Sequence, residues 1–154
     1  MASSGEHPFL AAAASAPELA DWWLASMAPA MAHGGGAGRV PLRVKQLVRL
    51  RLEAQGGVRY PGLGDLDAAD VTAEETAAAA GPLDALPASV SPAERAVLEL
   101  VDQIDFANLE GYLGEELYGR LKQHFDDGAI FELGQVMATL TGLGKFLRVY
   151  GLAG

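Results

Sequence analysis

Ser91-Pro92-Ala93-Glu94-Arg95-Ala96-Val97-Leu98-Glu99-Leu100-Val101-Asp102-Gln103-Ile104 is the stretch that decides the fold class. Ser91 and Glu94 stand as a capping box: the serine hydroxyl reaches the N–H three residues on, and the glutamate reaches back. Pro92 falls in the first turn, where its missing N–H is no loss. Val97, Leu98, Val101 and Ile104 then recur at three and four, one apolar stripe of helical period. A strand needs alternation of period two, and no part of the chain sustains it.

The same grammar extends in both directions. Leu113, Leu117 and Leu121 mark a shorter helix ending near Phe125, and Asp126-Asp127-Gly128 resets the chain. The last helix then carries Ile130, Phe131, Leu133, Val136, Met137, Leu140, Leu143 and Leu147. Its Gly134, Ala138 and Gly142 recur every four residues. Interior glycine costs a helix roughly 1 kcal/mol against alanine, so this stripe predicts the close approach of another helix. Upstream, Thr72-Ala73-Glu74-Glu75 is a second capping box, opening a short helix to Ala80, and a Pro-containing linker runs to Val90. Pro41 opens a helix to about Gln55, with Val44, Leu47, Val48, Leu50, Leu52 and Ala54 apolar on more than one side, the pattern of a centrally buried helix. Gly56 and Gly57 stop it, and 58–71 reads as loop.

A first helix begins at Ser15-Ala16-Pro17-Glu18, puts Leu19, Trp22, Trp23 and Met27 on one buried face, and ends in the glycine run after His33. Residues 1–14 read as a flexible leader and 15–154 as one all-α domain of about six helices.

Composition narrows the function. Half of the 154 residues are apolar, enough for a real core. The formal charge of -9 opposes nucleic acid and anionic membranes alike, since both need a clustered basic surface. No cysteine is present, which removes disulfides, thiolate metal ligands and cysteine nucleophiles together. His7, His33 and His124 are far apart and lack any metal-ligand spacing, so no metal or cofactor is expected. Phe9 to Ala14 is too short, and lacks the positive flank, for a secretory signal; the expected location is cytoplasmic.

Three stretches, in order, resemble the carboxymuconolactone decarboxylase and alkylhydroperoxidase D superfamily. They are Pro17-Glu18-Leu19 leading to the paired tryptophans, the run from Val40 to Arg51, and Ser91 to Leu98 with the helices after it, including His124-Phe125-Asp126-Asp127. Together they span roughly residues 17 to 150. The resemblance implies an alkylhydroperoxidase-D-like helical bundle assembled as a homo-oligomer, a trimer or hexamer. In the family's peroxidase branch a proton relay is spaced Glu-x11-Cys-x2-Cys-x3-His. That spacing falls here on Gln46, Val58, Pro61 and Asp65, so all four positions have changed. The decarboxylase branch needs neither cysteine nor metal, which leaves acid/base chemistry on a small organic molecule open.

The candidate groups follow from that placement. Gln46, Arg49 and Glu53 share one helix face. Glu53 is the candidate general base, Arg49 or Arg59 the holder of a substrate anion, Tyr60 a hydrogen-bond donor and Gln46 an orienting group. The alternative for Arg49 and Glu53 is an ordinary ion pair four residues apart, and for Tyr60 a ring covering apolar surface. Trp22 and Trp23 either line an apolar ligand pocket or serve core and interface. His33 and Asp65 complete the candidate substrate-binding set; His33 otherwise heads a flexible connector, since no nucleophile elbow accompanies it. The leading expectation is cofactor-independent decarboxylation, isomerisation, dehydration or cyclisation of a small, largely apolar carbonyl- or carboxylate-bearing substrate by a lyase or isomerase/cyclase. The alternative is a catalytically silent relative that binds a small molecule or a partner protein.

Overall fold

The computed structural model describes residues 7–18, 21–22, 25, 38–61, 69–105 and 107–154. Among them every regular element is a helix: α1 (Pro8–Ala13), α2 (Leu42–Gly56), α3 (Ala73–Ala79), α4 (Pro92–Ile104), α5 (Glu115–Lys122) and α6 (Asp127–Val149). A 3-10 turn, Leu83–Ala85, lies between α3 and α4, and residues 17, 18, 21, 22 and 25 are also helical. The fold is all-α. No helix among the described residues is long and apolar enough to cross a membrane.

Both capping boxes form as their spacing predicts. Thr72 and Glu75 exchange side-chain-to-backbone bonds at the start of α3, and Ser91 and Glu94 do so at the start of α4. Asp126 caps α6 through the Ala129 N–H at 2.8 Å. Ser15 does not act as a cap; its hydroxyl donates to the Ala12 carbonyl, and the helical residues begin again at Pro17. Leu113 lies outside α5, in the exposed segment before the Gly114 cap.

The central helix is α2, packed against α6 on one side and α4 on another. Val44, Val48 and Leu52 meet Val97 and Val101 of α4 and Leu133, Met137 and Leu140 of α6 in the main core. Leu47 points the other way and joins Leu98, Ala79, Leu86 and Val90 in a second cluster under α3. Each fully buried Leu or Val contributes roughly 1.5–3 kcal/mol, so a helix apolar on two sides belongs in the middle.

The cations of α2 are internal. Arg43 bonds Glu75 and Glu94, the two capping-box acids, and so ties together the starts of α3 and α4. Lys45 is fully buried and its Nζ meets Glu132 of α6 at 2.7 Å. Glu132 also accepts from the Arg39 and Val40 N–H groups, fixing the approach to Pro41. Arg51 grips Asp102 of α4 with two bonds and donates to the Ala79 and Gly81 carbonyls at the end of α3. A buried charge is tolerable only when paired in this way.

Two expectations are corrected. Residues 8–13, read as part of a loose leader, form α1 and bury Phe9 in the main core. His7 holds this helix in place: its Nδ1 accepts from the Phe9 N–H at 3.1 Å, so Nε2 carries the proton and donates to the Arg59 carbonyl. The glycine stripe of α6 makes no close helix contact with the described chain, since a Cβ at Gly134 or Gly142 would meet no described atom within 4 Å. The core-facing side of α6 is taken by Leu133, Val136, Met137 and Leu140, and the stripe lies off it. Close approach occurs instead at Gly144, where a Cβ would stand 3.0 Å from the Tyr60 hydroxyl.

Candidate functional site

Gln46, Arg49 and Glu53 do share a face of α2. Arg49 Nε lies 3.2 Å from Glu53 Oε1, and an Arg49 terminal nitrogen lies 3.5 Å from Gln46 Oε1. Gly57, in the left-handed region at φ 59, ends the helix and sends the chain back along it. This reversal brings the Tyr60 N–H to Glu53 Oε1 at 2.9 Å. Glu53 is therefore a latch between α2 and the segment after it, bonded through one carboxylate oxygen to both.

Tyr60 joins the group by its backbone and leaves it by its side chain. The ring is buried, and the hydroxyl donates to the Leu140 carbonyl at 2.8 Å. Burial, followed by the Glu53 carboxylate, raises the phenol well above its ordinary value. It stays protonated, with its one hydrogen already placed.

The remaining candidates separate. Arg59 has an exposed side chain; its N–H donates to the Ala153 carbonyl at 2.8 Å and its own carbonyl accepts from His7. Val58 and Pro61, on which the resemblance would set the two cysteines, are both buried in the non-helical segment after α2. Val58 belongs to the main core. Trp23, His33 and Asp65 lie outside the described residues.

Trp22, expected on a buried helix face, is 69 % exposed and borders a hollow of about 670 Å³. It stands there because the hollow opens between α1 and α6 rather than into the core. Phe9, Ala138, Gly142, Phe146 and Tyr150 form much of the wall. Phe9 and Phe146 meet edge to face at 6.2 Å, and Phe146 and Tyr150 lie 4.5 Å apart. Thr139 also lines it, but its hydroxyl donates to the Gln135 carbonyl at 2.7 Å. No Asp, Glu, His, Lys or Arg is among the described lining residues. Sequence alone does not single out Phe9, Phe146 and Tyr150, although Gly142, Phe146 and the α6 C-cap Tyr150 recur every four residues.

No protein-family model matches the chain, and no curated protein is detectably similar to it. The likeness to the decarboxylase and peroxidase family rests on the three sequence stretches given above.

Proposed function

We propose that this chain is a carboxymuconolactone-decarboxylase-like protein that binds a small, uncharged, mainly apolar molecule in the hollow between α1 and α6, with no catalysis at the family's former redox position. The observation that carries this reading is the lining of the hollow, which is aromatic and aliphatic with no acid or base among its described residues. Ligand sites are commonly of this kind, concave and apolar with few polar groups. The lack of cysteine excludes a thiol peroxidase outright. Assembly as a trimer or hexamer accompanies the family reading, and light scattering measures it; location in the cytoplasm follows from the lack of a secretory-signal pattern in Phe9 to Ala14.

Nile red, a neutral apolar dye, tests the site. Saturable fluorescence enhancement at one dye per chain is expected, weakened about tenfold by Gly142→Leu, whose side chain fills the hollow. Undiminished binding by that variant would remove the hollow from the proposal.

One observation favours acid/base catalysis as a second reading. Both bonds to Glu53 fall on Oε1, so Oε2 takes neither. In that reading Oε2 is the base, Arg49 or Arg59 holds the substrate anion and Gln46 orients it. Turnover of a confirmed small lactone or keto acid that is abolished by Glu53→Gln would establish it; turnover at the parental rate would exclude the assigned role.

A further inference from the structure

Of the 11 lysines and arginines, all but three have side chains in ion pairs or hydrogen bonds with described groups; the three are Arg59, Lys145 and Arg148. Two of these three border the same pocket. It has a volume of about 250 Å³ and lies between the end of α2, the turn after α4, and a face of α6 distinct from the one on the apolar hollow. In a chain of net charge -9, these two cations border one concavity with no carboxylate of the described residues paired to either.

The rest of the wall fits the same purpose. Thr141, Lys145 and Arg148 stand at i, i+4 and i+7 on α6, one face of the helix. A helical threonine ordinarily satisfies its hydroxyl on the carbonyl four residues back, as Thr139 does on Gln135. The Thr141 hydroxyl is buried and has no hydrogen-bond partner among the described residues. Leu52 and the Tyr60 ring supply apolar surface. Asp105 is the one carboxylate among the described lining residues, and it already accepts from the Ala107 N–H at 3.2 Å.

We propose that this pocket is a binding site for a small monocarboxylate, with Lys145 and Arg148 holding the carboxylate, Thr141 donating to it, and Leu52 with Tyr60 packing on its carbon skeleton. A guanidinium matches a planar carboxylate with two parallel bonds. Asp105 on the opposite wall repels a second negative charge, which favours a monoanion over phosphate. The volume is below the usual range for drug-sized ligands, so the acid is about the size of benzoate or smaller. The site is independent of the apolar hollow, and each can fail without the other.

Benzoate is the probe, followed by amide chemical shifts of the whole chain at constant ionic strength. Saturable shifts are expected at residues 141–148 and 55–60, and benzamide, the neutral isostere, should cause none. Lys145→Gln with Arg148→Gln should weaken benzoate binding about tenfold or more. Both side chains are exposed, so the double variant keeps the fold. Absence of saturable shifts, equal binding of benzamide, parental affinity in the double variant, or tighter binding of inorganic phosphate would each overturn the proposal.

Discussion

The Tyr60 hydroxyl donates to the Leu140 carbonyl at 2.8 Å, passing through space that is open because residue 144, one turn further along α6, is glycine. That carbonyl already belongs to the helix, so the tyrosine adds a bond to its second lone pair. Tyr60→Phe should therefore cost about 1 kcal/mol in urea unfolding, the net worth of one hydrogen bond. Gly144→Ala sets a gain in helix propensity against a clash with that hydroxyl and should show no net stabilisation. In the Tyr60→Phe background the same alanine should become favourable, a coupling that a double-mutant cycle reads directly.

Gly134 and Gly142 make the contrasting case. Neither has positive φ, and a Cβ at either meets no described atom within 4 Å. Alanine at each should raise stability by about 0.5–1 kcal/mol from helix propensity alone. A loss of stability at either position, or a change in oligomer size seen by light scattering, would show that the stripe contacts another copy.

Arg51 tests the value of a forked cation. Its guanidinium reaches Asp102 twice and two carbonyls at the end of α3. Lysine keeps the charge but cannot span these four acceptors, so Arg51→Lys should cost about 2 kcal/mol. Arg59→Lys, at an exposed side chain, should fall within about 0.5 kcal/mol of the parent.

Acid should loosen the junction of α2, α3 and α4. Hydrogen bonding from Arg43, with the Thr72 N–H behind it, pulls the Glu75 carboxyl from 4.5 down to about 2. A depressed native value means that the unfolded chain takes up the proton first. This contribution is therefore complete above pH 4.5 and is lost as pH falls toward 2. Glu132 acts with the same sign: burial opposes its ionisation, but Lys45 and the Arg39 and Val40 N–H groups outweigh it. Melting temperature should fall through this window, and Glu75→Gln should start lower at neutral pH and show a shallower acid decline. A parallel decline in both proteins would remove Glu75 from the explanation.

Local features were legible in the sequence, and their partners were not. The capping boxes at Thr72 and Ser91 use residues three apart, so spacing alone revealed them; Arg43, which joins their acids, does so across 32 and 51 positions. The Arg49–Glu53 pair was visible at i,i+4, but its use as a latch depends on the left-handed turn at Gly57. Gly134, Gly142 and Gly144 look alike in sequence, yet of these three only Gly144 is approached closely, because the Tyr60 hydroxyl comes in over it to reach Leu140, 80 positions along the chain. For the candidate site, the helical period puts Trp22 on a buried face, whereas it stands exposed at the apolar hollow, and the cations at 145 and 148 look in sequence like any solvated helix face. What set them apart was the absence of partners, a property of the packed chain.

Residue 59 has one more bearing, on the order of events in folding. Its carbonyl accepts from His7 and its N–H donates to the Ala153 carbonyl, so segments from opposite ends of the sequence close on a single residue. Closing such long loops is entropically costly until the intervening helices have packed. This clasp belongs to the last stage of refolding, and the amides of residues 9, 59 and 60 should exchange with solvent together, ahead of those in α2 and α4.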